Sequence, residues 1–546
     1  MSAVDPITLE IVRNRLEGVA TEMGQVLIRS AASPNIKERR DCSTALFDAD
    51  GRLVAQAEHI PVHLGAMGRS VETVLERERA PRPGDVYLLN DPFEGGTHLP
   101  DVTLVAPVTL ADEVVGYAVS RAHHADVGGS TPGSMPAGAT EIYQEGLRIP
   151  PVRLVREGDL ATDVRSLVLA NVRTPDERRA DLRAQRAATD RAQTRLREID
   201  ADLEIDLETA FDAVIDYSRE RTHAQLARFP DGTYTARDVL EGDGVRDDPI
   251  PIAVSVTVEG ASVTVDFSGT ADQVEGNLNA PLAVATSAVY FVLRAVTNPD
   301  IPPNHGCYEP VSVTAPRGSL LDPEPPAAVV GGNVETSQRV VDVVFAALAG
   351  CVPERVPAQS QGTMNNLVIG TRGRASADGD ADGFTYYETI GGGMGAHAGG
   401  DGIDGVQVGM TNTLNTPVEA LETEYPLRVE RHALRPDTGG DGEFRGGLGL
   451  ERAITLETDA VVSLLTERRR RQPAGTDGGD PGASGRNLVD GDPVGSKLTR
   501  TLPAGTTVTV CTPGGGGYGD PAARDADARA RDVADGKVLE DEPADE

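Results

Sequence analysis

The chain has 546 residues, 39% of them hydrophobic, and a formal net charge of −34. That length exceeds one hydrophobic core, so two or three domains are expected. A surface this acidic, with only three lysines (Lys37, Lys497 and Lys537), repels nucleic acid and anionic lipid and argues against both as partners.

The same charge fits a soluble enzyme of a high-salt cytoplasm, where screening removes the cost of self-repulsion. Four cysteines (Cys42, Cys307, Cys351 and Cys511) form no CxxC pair, so neither a zinc ribbon nor a disulfide framework is expected. The N-terminal MSAVDPITLEIV has no basic region before an apolar core, and no stretch is long and apolar enough to span a membrane. A cytoplasmic location follows as the expectation.

In chain order, Pro6 to Ala31 has helical apolar spacing behind an Asp5-Pro6 start. STALFDADGRLVAQ reads as two short strands around an Asp-Gly turn, and Met67 to Arg77 as a helix. Asp85 to Leu110 reads as strand, Gly-rich turn and strand, followed by a strand in VVGYAVSRAHHADVGG, which together suggest a β-meander. Ser130 to Pro151 is loop-like. Pro175 to about Ala227 is a long charged helical region. PIAVSVTVEGASVTVDFSGT alternates on both sides of Glu259-Gly260, the mark of a hairpin. Ala283 to Thr297 and Thr336 to Leu348 read as helices, and PAGTTVTV as a late strand. The fold class expected is α+β, mixed and multi-domain, β-rich with a long helical segment in the middle. The expected divisions are an N-terminal α/β region (1–174), a helical segment (175–230), a central α+β region (231–390), a Gly-rich β region (391–520) and an acidic tail (521–546).

Five of the nine histidines precede Ala125: His59, His63, His98, His123 and His124. Scattered core or surface histidines are the plain explanation. Geometry narrows it. If Val114 to His124 is a strand, His123 shares a face with Arg121 and Tyr117, and His124 shares the other with Ala122 and Ser120. Only one of the two histidines can then enter a common site. His98 and Asp101 reach one ion only if the chain bends between them, and Pro100 suits a bend. Two imidazoles and a carboxylate suit Mn, Fe(II) or Zn. The Gly-rich runs EGGTH, DVGGS, IGGGMGAHAGGDG and CTPGGGGYGDP offer backbone N–H groups, but none matches a GxxxxGK[ST] phosphate loop. Ordered turns needing positive φ account for most of them, with His397 kept open. Cys42, Ser43 and Thr44 lack a GxSxG elbow, and Cys42 reads as a small packed residue.

Several long segments carry a resemblance. They are DPITLEIVRNRLEGVATEMG, IKERRDCSTALFDADGRLVAQAEHIPVHLGAM, PGDVYLLNDPFEGGTHLPDVTLVAPV, SRAHHADVGGSTPGSMPAGATEIYQEGLRIPPV, NHGCYEPVSVTAPRGSLLDP, GGNVETSQRVVD and TPGGGGYGDP. On these the chain resembles the hydantoinase B / 5-oxoprolinase family over about residues 3 to 521. The resemblance implies a B-type subunit that completes ring opening of a lactam or hydantoin after an ATP-binding A-type subunit has phosphorylated the carbonyl. Related acetone carboxylase subunits hold manganese, which implies His98, Asp101 and His123, with Glu38 in ERRD, as ligands of a divalent metal (Mn, Zn or Fe). It thereby selects His123 over His124 and makes Asp126 a candidate to orient a ligand. Asp41, Glu38 or His59 then stand as general bases. The family's aromatic-rich late segment is replaced here by RRRRQPAGTDGGDPGASGRN, and the chain has no Trp. The alternatives are a ketone carboxylase subunit and a non-catalytic subunit that stabilises the ATP-binding partner.

Overall fold

A computed structural model describes residues 4–58, 60–78, 81–371 and 383–539. Asp5 starts the first helix, α1 (Pro6–Ser30): its carboxylate accepts from the amides of Ile7 and Thr8, and Pro6 fills the first position, where no amide is needed. Val12, Leu16, Val19, Met23 and Leu27 form its buried stripe. One turn, α2 (Pro34–Lys37), leads into the predicted hairpin, β1 (Cys42–Asp48) and β2 (Leu53–Glu58). Asp48 closes it by accepting from the amides of Asp50 and Arg52. After α3 (Ala66–Arg77), strands β3 (Val86–Leu89), β4 (Asp101–Leu110) and β5 (Glu113–His123) form the predicted meander. With β6 (Val152–Arg156) and β7 (Asp159–Leu160) they complete a seven-stranded sheet ordered β2-β1-β5-β4-β3-β6-β7.

Helices cover both faces of this sheet, which is why β1 and β3 are buried at every position. A short helix, α4 (Thr162–Ala170), precedes two long ones, α5 (Pro175–Asp202) and α6 (Leu207–Leu226). Leu46, Ala118 and Ala122 pack on α1, α5 and α6, and the small Ala184, Ala188 and Ala192 let α5 approach closely. Ala45, Phe47, Tyr117 and Val119 point the other way, onto Met67, Val71 and Val74 of α3. The charged stretch 175–227 is thus two helices. The first ends at Asp202, and Asp206 caps the second through the Thr209 amide at 2.7 Å.

The next sheet runs β11-β10-β9-β8, from β8 (Gly232–Leu240), β9 (Ile250–Glu259), β10 (Ser262–Asp266) and β11 (Val311–Thr314). The hairpin expected at Glu259-Gly260 joins β9 to β10. Helices α7 (Leu282–Val296) and α9 (Ser337–Leu348) pack on it, while the short α8 (His305–Tyr308) lies against α6. A π-turn at Gly332–Thr336 leads into α9.

The last region is a sandwich. One sheet is β13-β12-β16-β19, with β12 (Asn366–Gly370), β13 (Thr385–Glu388), β16 (Ala460–Leu465) and β19 (Lys497–Leu502). The other is β14-β15-β20-β17-β18, with β14 (Leu427–Leu434), β15 (Leu450–Leu456), β17 (Arg486–Val489), β18 (Asp492–Val494) and β20 (Thr507–Cys511). Leu367, Ile369, Val462 and Leu464 of the first meet Leu427, Ile454, Val508 and Val510 of the second in one core. Helix α10 (Val418–Glu424) precedes β14. Beside the sandwich, the Gly-rich segments cross one another with almost no side chain between them: Gly393 donates to Pro513 O, Gly447 to Met394 O, and Gly515 to Gly447 O. A Cβ at Gly515 would overlap the Met394 carbonyl. The tail closes with α11 (Ala526–Ala534), held by Asp532 between Arg445 and Arg524. Among the described residues no helix is long and apolar enough to cross a membrane.

Candidate functional site

The segment Asn90–Asp101 builds the first half of the site. Asn90 fixes its start, its amide group donating to Leu99 O and Leu147 O and its side-chain oxygen accepting from Ile149 N at 2.7 Å. Gly96 donates to Asp91 O, and a Cβ there would overlap the Asn90 carbonyl, so the turn requires glycine. The chain then bends at Pro100: Asp101 N donates to His98 O, and His98 Nδ1 comes to 3.0 Å from Asp101 Oδ2. The bend expected from Pro100 brings both side chains together. Thr97 donates to the same carboxylate oxygen at 2.6 Å.

Sheet register supplies the second half. Asp101 on β4 lies directly opposite His123 on β5. His123 and His124 point to opposite faces, as alternation demands. His124 Nε2 meets Gln185 of α5 at 3.0 Å, and its burial behind that helix pushes its pKa down to about 4. His123 faces His98, ring centroids 5.0 Å apart. Asn35 contacts His123 Nδ1 at 3.0 Å and is itself held by Arg39, whose Nη1 donates to Asn35 Oδ1. The His123 Nε2 atom is buried and has no hydrogen-bond partner.

Asp41 joins through the backbone, its carbonyl accepting from His123 N at 3.0 Å. Burial pushes its carboxyl up to about 7; nearby Asp101 adds to that rise, while Arg39 and His98 oppose it. Burial also works against ionising Asp101, but His98 and His63 outweigh it and hold the carboxyl well below the usual range. Burial first, then the neighbouring His98, keeps His123 neutral, well below its ordinary pKa.

Several site residues have no local signal in the sequence. His63 Nε2 lies 3.5 Å from Asp101 Oδ1, and its Nδ1 meets Ser43 Oγ at 2.9 Å. Of Cys42, Ser43 and Thr44, Ser43 therefore turns toward the site; Cys42 packs in the core and Thr44 donates to Ala20 O. Asn333, on the π-turn before α9, places Nδ2 3.1 Å from His98 Nδ1. Tyr387 of β13 stacks on His123 at 4.5 Å with an 8° interplanar angle. Arg39 lies over the Tyr387 ring at 5.0 Å and donates to Tyr387 O, Thr389 and Thr413. Spacing arguments reach residues a few positions apart, and these partners come from four separate parts of the chain.

Other expected residues stand apart. Glu38 pairs with Lys37 at 4.0 Å, with 30% of its side chain exposed, whereas His98 and Asp101 are buried. His59 lies outside the described residues. Asp126 holds its own loop, accepting from the amides of Gly128, Gly133 and Arg173 and from the Arg173 guanidinium; Asn35 is the residue on His123. His397 sits exposed on its loop, its Nδ1 beside Ala398 O. A cavity of about 900 Å³ opens on the other side of the Gly95-Gly96 turn, lined by Phe47, Phe93, Tyr290 and His305 but by none of His98, Asp101 or His123.

Among the described residues no three His, Cys, Asp or Glu side chains form an assembled metal-ligand group. The donor chemistry nonetheless fits a divalent ion: two imidazoles and two carboxylates, all buried, with one imidazole nitrogen unpartnered.

Three likenesses bear on this geometry. Residues 5–521 match the family described as Hydantoinase B/oxoprolinase. The 5-oxoprolinase 1 of Arabidopsis thaliana is 39% identical over 547 residues, covering 95% of this chain but 42% of the relative. The chain thus spans less than half the length of that oxoprolinase. The crystal structure of an ATP-dependent caprolactamase from Pseudomonas jessenii superposes with a TM-score of 0.89 at 30% identity, covering 98% of this chain and 95% of that one. A nucleotide-free acetone carboxylase superposes with a TM-score of 0.87 at 20% identity, covering 98% and 78%, a likeness of fold alone.

Proposed function

This chain belongs to the Hydantoinase B/oxoprolinase family, and on that premise we propose that it opens the ring of a cyclic amide in an ATP-dependent reaction shared with an A-type, ATP-binding partner. The observation that carries this reading is the buried cluster of His98, Asp101, His123 and Asp41, with His123 Nε2 left without a protein partner. A buried polar atom left unpaired costs about 1–3 kcal/mol, so the cluster is built to receive something. The likeness to a caprolactamase described as ATP-dependent supports a lactam as that something.

His98, Asp101 and His123 would hold a divalent ion (Mn, Zn or Fe), which when bound polarises a carbonyl or lowers the pKa of a water. Glu38 would have to turn inward from Lys37 to join them. Asp101, kept ionised by His98 and His63, supplies a fixed negative charge. Asp41 is the carboxylate beside the cluster that would take a proton from the attacking water. His98 and His123 orient the reacting carbonyl, Asn35 and Tyr387 fix the His123 ring, and the burial of all four cluster residues excludes bulk water.

The partner is inferred from two facts. The sequence contains no phosphate loop, and the matching oxoprolinase is more than twice as long as the part this chain covers. ATP use and four buried free thiols fit a cytoplasmic location. Carboxylation rests on likeness of fold alone and gains no support from the site.

The test is reconstitution with an A-type partner and ATP, screening 5-oxoproline, hydantoins and ε-caprolactam, with metal analysis of the purified chain. Ring opening coupled to ATP hydrolysis is expected, with stoichiometric divalent metal. His98→Ala should lose both. Failure to open any cyclic amide overturns the function, and unchanged metal content in His98→Ala overturns the ligand assignment.

A further inference from the structure

The π-turn Gly332–Thr336 carries one side chain into the cluster. Asn333 is 3% exposed, and its two amide atoms have different fates. Nδ2 lies 3.1 Å from His98 Nδ1. Oδ1 is buried and has no partner. A carboxamide oxygen in that condition is normally paired or eliminated, because leaving it dry is costly.

The turn cannot easily move to relieve it. Glu145 accepts from the amides of Val329 and Val330 just before it. Gly332 N donates to Asn277 O, Ser337 Oγ donates to Asn333 O at 2.7 Å, and Thr336 Oγ1 donates to Leu278 O at 2.6 Å. A Cβ at Gly332 would overlap the Asn279 carbonyl, so the turn lies flush against that segment. Single π-turns of this kind recur at functional sites, where they re-aim a side chain. The result is a fixed, empty acceptor beside His98, with His123 Nε2 the other unpartnered polar atom of the same cluster.

We propose that Asn333 determines substrate specificity, its Oδ1 accepting the ring N–H of the cyclic amide whose carbonyl reacts at the cluster. This rests on the ring-opening function above and names the group that reads the amide. In a cyclic amide the N–H sits on the atom bonded to the carbonyl carbon, so one donor and one electrophile arrive together. A lactone of the same ring size offers an oxygen lone pair instead, which Oδ1 repels. Sites built around an N–H reject analogues lacking it far more strongly than apolar pockets reject a missing methylene.

The experiment compares equilibrium binding and kcat/KM for ε-caprolactam against ε-caprolactone, and for 5-oxoproline against its ring-oxygen counterpart, on the full chain with its partner and ATP. The wild type should bind the better lactam of the two at least about tenfold more tightly than its lactone. Asn333→Ala should bring that ratio to within about threefold. Asn333→Asp keeps an acceptor but loses the donor to His98. It should retain the lactam preference while kcat falls, separating recognition of the N–H from support of His98. A lactam preference surviving in Asn333→Ala, or a wild type indifferent to the swap, overturns the proposal. A wild type that opens other cyclic amides with that indifference leaves the ring-opening function standing, whereas one that binds and opens none overturns both.

Discussion

The site and the late Gly-rich region are both made of Gly-rich turns, yet they solve opposite problems. Around His98, Asp101 and His123 the backbone is a frame for side chains, and two polar atoms in the finished fold, His123 Nε2 and Asn333 Oδ1, still lack partners. Around Gly393, Gly447 and Gly515 the backbone is itself the packing material: amides and carbonyls of crossing segments pair directly. The first region holds hydrogen-bonding capacity in reserve, and the second consumes it. Polar incompleteness in a buried place therefore locates function, while glycine content alone does not.

Substitution should separate the two regions cleanly. The largest effect is expected at Gly515→Ala, where the new Cβ overlaps the Met394 carbonyl. A loss above about 4 kcal/mol, the range reserved for severe core defects, should show as failure to recover folded protein or a collapsed melting temperature. A variant melting within a few degrees of wild type would mean that the crossing segments have slack. Next comes Arg39→Ala, which removes a buried cation from Asn35, Tyr387, Thr389 and Thr413. It should cost about 2–4 kcal/mol in chemical unfolding, in the range for unmade hydrogen bonds to a charged group, and should lower activity through His123. His98→Ala should show the reverse balance: activity lost by about a thousandfold or more, as when a central catalytic group is removed, with stability changed far less.

A pH series sharpens the comparison. Burial pushes the Glu145 carboxyl up to about 8 from 4.5, against the two amides it accepts from. Below 4.5 it is protonated in folded and unfolded chains alike, and its full contribution is present. Between 4.5 and about 8 the unfolded chain ionises while the folded one keeps its proton, so this contribution falls as pH rises. Glu145→Gln should flatten that slope in urea titrations at successive pH values; an unchanged slope would assign it to other groups. The smallest effect is global. With a net charge of −34, added KCl should raise the melting temperature as self-repulsion is screened, and a salt-independent melt would rule out an adaptation to salt.

Much of the first region was legible in sequence. The Asp5-Pro6 start, the hairpin at Asp50-Gly51 and the meander all follow from local pattern, because each is decided by residues a few positions apart. Alternation separated His123 from His124, and Pro100 foretold the bend that joins His98 to Asp101. Asn35, Asn333 and Tyr387 were not legible, since asparagines and tyrosines are common and only tertiary contact singles these out. Long-range pairing likewise hid His63, which reaches Asp101 from a different element. The glycines were misread for a physical reason. Positive φ was expected of most Gly runs, and Gly95, Gly128 and Gly129 show it. The runs 391–395 and 514–517 do not; there glycine is required by the approach of a second backbone, and one strand of sequence cannot show its neighbour.

The Arg39 strap has a temporal consequence. Tyr387, Thr389 and Thr413 follow Arg39 by about 350 residues or more. At roughly 5–20 residues per second a ribosome needs from under twenty seconds to more than a minute to deliver them. Throughout that interval the nascent chain carries a guanidinium destined for burial with most of its acceptors unmade, and a His123 ring with no aromatic lid. The growing polypeptide is therefore chemically silent by construction: the centre is completed only when the late strands emerge, and a prematurely released fragment would expose an unfinished pocket to the chaperones instead of a working one to the cell.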